Sequence, residues 1–134
     1  MTTGTVKVQS GEFPKYFNFG GSTTCTAVGV SASAAKTSPW ATFQVIATAV
    51  SGTISATVQI QVTNEDATAN GTNSNWLNLG TAITITTQTS PATAGFPLVA
   101  ADMAGIAPWR YVRANVTALT ASGSGPSCQV LMGT

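Results

Sequence analysis

The stretch GTISATVQIQVT, Gly52 to Thr63, decides the fold class. Ile54, Ala56, Val58, Ile60 and Val62 take every second position, and Ser55, Thr57, Gln59 and Gln61 fill the positions between them. Successive side chains of an extended strand point to opposite faces, so this alternation lays an unbroken apolar row on one side and an uncharged polar row on the other. On a helix the same residues would scatter around the circumference. The stretch therefore reads as a long strand with one face in a core.

The same period of two extends outward in both directions. Upstream, WATFQVIATAV (Trp40 to Val50) sets Phe43, Val45, Ala47 and Ala49 against Trp40, Thr42, Gln44 and Thr48. The Ser51-Gly52 pair between the two runs predicts a hairpin turn. Ile46 and Val50 interrupt the polar side, which predicts partial cover of that face by a second layer or another chain. Downstream, NEDATANGTNSN (Asn64 to Asn75) is polar and contains an Asn-Gly pair, so it reads as an exposed connection.

NWLNLGTAITI resumes the sheet at Trp76 to Leu79, with Gly80 permitting a bend or bulge before a Thr-Ile strand. Trp76 is expected to plug the core at a sheet end rather than to stack a ligand at the surface. From Ser90 to Pro108 the chain reads as irregular, with at most a short helical turn around Val99 to Met103, because Pro and Gly recur. PWRYVRANVTAL then alternates Val112, Ala114, Val116 and Ala118 against Tyr111, Arg113, Asn115 and Thr117. TASGSGPS turns the chain and CQVLM closes it. Near the N-terminus, TVKVQ, KYFNF and TCTAVGV are weaker strand candidates.

About eight or nine short strands at regular spacing predict an all-β, antiparallel β-sandwich, jelly-roll-like in outline. One domain accounts for residues 1–134, with 1–12 as an N-terminal arm or added strand. A chain of 134 residues buries about two thirds of its unfolded surface, enough for one core.

Composition narrows the function classes. Charged residues are only 7% of the chain, where about a quarter is usual. Five basic and four acidic residues leave a net charge of +1, far from the basic footprint that phosphate backbones require, so direct nucleic-acid binding is not expected. A surface with so little charge is weakly protected against self-association, which points to a homo-oligomer. The opening MTTGTVKVQSGEF has no basic start leading into an apolar run, and no segment is long enough to span a bilayer. Synthesis in a cytoplasm and no membrane partner are the expectations. In a reducing compartment Cys25 and Cys128 would stay as buried structural thiols rather than a disulfide or a reactive pair.

The chain contains no histidine, which removes the commonest general base and neutral metal ligand and with them any Ser-His-Asp or Cys-His design. Acid-base chemistry would fall to Glu12, Glu65, Asp66 and Asp102. Glu65 and Asp66 adjoin in a loop with no supporting base, and that loop lacks the spaced acidic ligands of a calcium site. The glycines form no phosphate-cradling pattern. No enzyme activity, cofactor or metal is expected. Arg110 and Arg113 should face opposite sides of their strand, leaving Arg113 beside Tyr111 either in a contact between subunits or as a solvent-facing arginine.

The order SGTISATVQIQVTNED, NWLNLGTAITI, RYVRANVTAL and VLMG, from about Trp40 to Gly133, resembles small virion structural proteins of tailed bacteriophages. It is most similar to their capsid decoration, or cement, proteins. That resemblance implies a sandwich on the capsid exterior that bridges the major capsid protein and neighbouring copies of itself, after synthesis in the host bacterial cytoplasm. Val6 and Val8 would belong to an arm that adds a strand to a neighbour, and Tyr111 and Arg113 to a contact face. A second reading makes the chain a tail or fibre-associated module that recognises a host surface or carbohydrate through Trp40, Trp109 or the Asn-rich loop.

Overall fold

The computed structural model describes residues 15–35, 42–64, 75–95 and 109–133. They form ten strands: β1 (Lys15–Tyr16), β2 (Gly29–Val30), β3 (Ala34–Ala35), β4 (Thr42–Thr48), β5 (Thr53–Thr63), β6 (Leu77–Asn78), β7 (Ile83–Thr89), β8 (Ala92–Gly95), β9 (Tyr111–Ala121) and β10 (Ser127–Gly133). One sheet runs β1-β10-β4-β8. The other runs β2-β9-β5-β6, with β3 also on β9 and β7 also on β5. Every pairing is antiparallel. Val6, Val8, Trp40, most of the Asn-rich loop and the expected helical turn at 99–103 lie outside the described residues.

The fold is all-β, two antiparallel sheets facing one core in the manner of a sandwich. β5 and β9 form the longest pairing, and their alternation is what fills that core. Ile54, Ala56, Val58, Ile60 and Val62 meet Val112, Ala114, Val116 and Leu119 from β9, Ile83 and Ile85 from β7, and Phe43, Val45, Ala47, Val130 and Met132 from the opposing sheet. Phe17 stacks on Phe43 with ring centroids 6.4 Å apart. Fully burying each of these aliphatic side chains is worth about 1.5–3 kcal/mol, so the shared core is the main source of stability.

The structure corrects the expected alternation on β9. Ala118 is exposed and Leu119 takes the inward place, because the pairing skips Thr117: Thr57 faces Ala118 while Val58 faces Val116. One inserted residue reverses the facing of everything beyond it. A second irregularity lies on β7, between the Ile54–Gln88 and Ala56–Ile85 pairs. There the Ser55 hydroxyl accepts the Thr87 backbone N–H at 2.8 Å, holding the bulge in place.

The larger correction concerns Ser51-Gly52. β4 and β5 are not a hairpin; β4 lies between β10 and β8, and β5 lies in the other sheet. The chain turns a corner from one sheet to the other, and a second corner, from β9 to β10, interlocks with it. Val50 N–H donates to Ser124 O at 2.9 Å, Ser124 N–H to Ser51 O at 3.1 Å, and Ser122 N–H to Thr53 O at 2.9 Å. The hydroxyls of Ser51 and Ser124 lie 3.0 Å apart, and Ser122 Oγ accepts the Thr53 N–H at 2.8 Å. Val50, expected on a covered face, is 83% exposed at this corner. The β7–β8 connection crosses at the same end, where Ser90 Oγ accepts the Ala49 N–H at 2.9 Å.

The two cysteines meet. Cys25 N–H donates to Cys128 O at 2.8 Å and Cys128 N–H to Cys25 O at 2.9 Å. Both are free thiols and both are buried, as expected of structural cysteines. Burial, with Cys25 beside it, pushes the Cys128 thiol up from its ordinary 9.0 to about 12.

Gly52 has φ +82°, and a Cβ there would run into Ser122 Oγ and the Gly123 backbone nitrogen. Gly52→Ala should cost about 3 kcal/mol or more in urea unfolding, from left-handed strain and overpacking together. Gly95→Ala, where the nearest atom would be an ordinary 3.6 Å away, should stay within about 0.5 kcal/mol of the parent. For the thiol, the folded state keeps the Cys128 proton between pH 9 and 12 while the unfolded chain loses it. Stability is therefore complete below pH 9 and falls as pH rises, by up to about 1.4 kcal/mol per pH unit. The difference between parent and Cys128→Ala urea midpoints across that range should reveal the slope, and parallel curves would refute it.

Candidate functional site

The strand register that builds the core also builds a row of polar side chains on the opposite, outward face of the six-stranded sheet. Arg113 on β9 lies in register with Gln61 on β5, and Gln61 in register with Asn78 on β6. Directly opposed side chains on one face lie within reach of each other, so three strands contribute to one chain of hydrogen bonds. Arg113 Nε donates to Gln61 Oε1 at 2.8 Å. Gln61 Nε2 donates onward to Asn78 Oδ1 at 3.0 Å.

Two residues before Asn78, Trp76 shares its side of the strand. The Arg113 guanidinium carbon sits 4.4 Å from the Trp76 ring centroid, inside the distance at which a cation is held by the π face. Trp76 is thus half-buried on the outer face and not in the core, against the expectation that it plugs a sheet end. Its ring follows Asn78 and Gln61, the polar side of the alternation. The signal was in the spacing: Leu79 takes the inward place, and Trp76 and Asn78 fall on the other side.

Thr63 completes the patch. It pairs with Tyr111 on one side and lies one step beyond the Val62–Leu77 pair on the other, and it is buried although it belongs to the outward row. Tyr111 is half-buried beside it, with the Arg110 guanidinium carbon 5.5 Å from its ring centroid. The expectation that the two arginines serve opposite faces holds for their positions along the chain but not for their heads. Residue 110 precedes the strand, its backbone N–H donates to Asn64 Oδ1 at 3.1 Å, and its side chain comes round to the ring of Tyr111. Tyr111 and Arg113, expected to share a face, do so.

The Arg113 pKa is lowered by burial, yet a guanidinium remains charged throughout the working range. A cation that is already partly desolvated, held by Gln61 and laid on an indole loses little further hydration or side-chain entropy when a partner covers it. Further along the face, Gln59 Nε2 donates to Leu79 O at 3.1 Å and to Gly80 O at 3.3 Å, bracing the bend before β7. Asn115, Thr57, Thr84 and Thr86 continue the uncharged surface.

Trp109, named with Trp40 as a surface-recognition candidate, packs half-buried against the core, which suits an anchor for β9 more than a displayed ring. Glu12, Glu65, Asp66 and Asp102 lie outside the described residues, and among the described residues no three His, Cys, Asp or Glu side chains gather as a metal site. A groove of about 200 Å³ on the other sheet's outer face is lined by Thr24, Ile46, Thr48, Ser127, Cys128 and Gln129. It accounts for the half-buried Ile46 but holds no charged group.

A double-mutant cycle tests the patch. Removing Arg113 and Trp76 singly and together, with stability read from urea unfolding, should give a coupling of about 0.5–1 kcal/mol. Arg113→Lys should recover only part of it, since the ammonium loses the planar stack and the Nε bond to Gln61. Coupling indistinguishable from zero would mean that the two side chains are neighbours without an energetic link. No family model matches this chain, and neither a curated protein nor a solved structure matches it.

Proposed function

We propose that the chain is a structural protein of a tailed-phage virion, a jelly-roll-like sandwich that binds the outside of the capsid and ties the major capsid protein to neighbouring copies of itself, without catalysis of its own. The observation that carries this reading is the outward face of the six-stranded sheet. It combines a pre-arranged Arg113–Trp76 pair and Tyr111 with a broad field of Gln, Asn and Thr. Arginine and aromatic residues are the side chains most enriched in protein interfaces, and uncharged neighbours cost little to desolvate. The resemblance of the sequence to decoration proteins supports the same direction.

Three corners crossing between the sheets at one end support the jelly-roll outline, since such crossings are how Greek-key sandwiches route their strands. A sandwich whose sheets are tied by several crossings at one end suits a clip under tension. Each copy needs only modest affinity, because many copies fixed on one lattice raise one another's effective concentration. The tail or fibre reading gains less from the structure: one side of the Trp76 ring is already taken by Arg113, and Trp109 packs on the core.

Mixing the purified protein with capsids that lack it, followed by sedimentation and gel densitometry, tests the proposal. Binding should saturate at hundreds of copies per particle, and Arg113→Ala should weaken it by about tenfold or more, in line with the loss of an interface anchor. Saturation at tens of copies or fewer would favour the tail or fibre reading. No retention at all, with the variants folded, would remove the capsid assignment.

A further inference from the structure

Cys25 and Cys128 form a directly opposed, doubly hydrogen-bonded pair at the margin of the four-stranded sheet. Opposed residues of an antiparallel ladder project their side chains to the same face. Both side chains here are buried, at 4% and 1% exposure, so the two sulfurs share one apolar compartment. The Cα atoms of such a pair stand about 5.5 Å apart, inside the roughly 4.4–6.8 Å that a disulfide spans. We propose that Cys25 and Cys128 are a disulfide-forming site, closed by a low-molecular-weight disulfide such as oxidised glutathione once the protein leaves a reducing compartment. The proposal stands on the geometry of the pair and does not depend on what the protein binds.

The surroundings say which sulfur reacts first and what the bond would hold. Cys25 lines an open groove of about 260 Å³ with Phe19, Thr24 and residues 26–30, and its thiol donates to Ala27 O at 2.8 Å. Cys128 is also buried and borders the groove of about 200 Å³ on the outer sheet face; what sets it apart is its raised pKa, which keeps it protonated and slow to react with reagents in solution. Cys25, as its thiolate, attacks one sulfur of oxidised glutathione, and one glutathione leaves as a thiolate that takes up the released proton. Cys128, deprotonated in turn, attacks the Cys25 sulfur of the mixed disulfide and expels the second glutathione. Two protein thiols become one disulfide while one oxidised glutathione becomes two reduced ones.

The segment from Phe17 to Ala32, which includes β2, is otherwise held by few groups. Phe17, Cys25 and Ser31 are its buried side chains, and residues 20–23 and 26–30 are exposed. Apart from its internal bonds (Phe19 with Ser22, and Ala32 N–H to Asn18 O) and the two-residue β2–β9 pairing, its backbone is tied to the rest of the fold by Phe17 N–H to Val130 O at 2.9 Å, the two bonds to Cys128, and Ser31 N–H to Ala114 O at 2.8 Å. A crosslink at Cys25 pins the middle of this span to β10 and closes most of the chain into one loop, the case in which a crosslink restricts the unfolded state most.

The test starts from reduced, folded protein exchanged into oxidised glutathione at mildly alkaline pH. The intact mass should fall by two hydrogen atoms, a peptide joining Cys25 to Cys128 should appear, and the melting temperature should rise by about 10 °C, reversibly with dithiothreitol. Cys25→Ser and Cys128→Ser should each lack the crosslink and the rise. Because buried thiols react slowly, a second arm unfolds the reduced parent and refolds it in a mixture of reduced and oxidised glutathione before counting thiols in denaturant. Two free thiols per chain after that refolding would overturn the proposal. So would crosslinks found only between chains, or a melting temperature that falls on oxidation.

Discussion

The interlock of two corners governs this fold. Val50 to Gly52 carries the chain from the β4 sheet to the β5 sheet, and Ser122 to Pro126 carries it back from β9 to β10. Each corner supplies the hydrogen-bond partners that the other would lack, through the mutual bonds of Ser51 and Ser124 and the bond from Ser122 to Thr53. Backbone groups at a bend have no ladder to satisfy them, so a buried or close-packed corner needs a specific partner. Here the partner is another corner, brought there by the pairing of β5 with β9 and of β4 with β10. The glycines at 52 and 123 let the two backbones approach to a separation that no side chain would allow.

This constraint explains which parts of the fold are legible in the sequence. The inward row of β5 is readable residue by residue, because burial on one face imposes a period of two regardless of the neighbour. The partner of a strand is not readable in the same way. WATFQVIATAV followed by Ser-Gly and a second alternating run has the local form of a hairpin, and the distinction between a hairpin and a corner lies in Ser122, Ser124 and Gly125, about seventy residues away by the separation of the bonded pairs. Ala118 and Leu119 make the same point on a smaller scale. The insertion at Thr117 is set by how β9 meets β5, and nothing within NVTAL announces it. Tyr111 and Arg113 sharing a face followed from spacing alone, whereas the link from Arg113 to Gln61, Asn78 and Trp76 required the register of three strands.

The scarcity of charge acquires a local meaning. Arg113 is one of few charged groups among the described residues, and it is held by the Gln61 amide and the Trp76 indole. A surface made of Thr, Gln and Asn offers hydrogen bonds without long-range repulsion or attraction.

The two outer faces are not equivalent. On the four-stranded sheet Val130 and Met132 of β10 join the shared core, so Leu131 between them points away from it. Leu131 is nevertheless only 8% exposed. That outer face is therefore already covered within the chain at this point, and Ile46 on neighbouring β4 is half-buried as well. On the six-stranded sheet the outward row of β5 is polar and half-buried from Ser55 to Gln61, Thr63 at its end is buried, and Arg113 is held by Gln61. β5 thus serves both sides of its sheet, with its apolar row in the core and its polar row on the outward face.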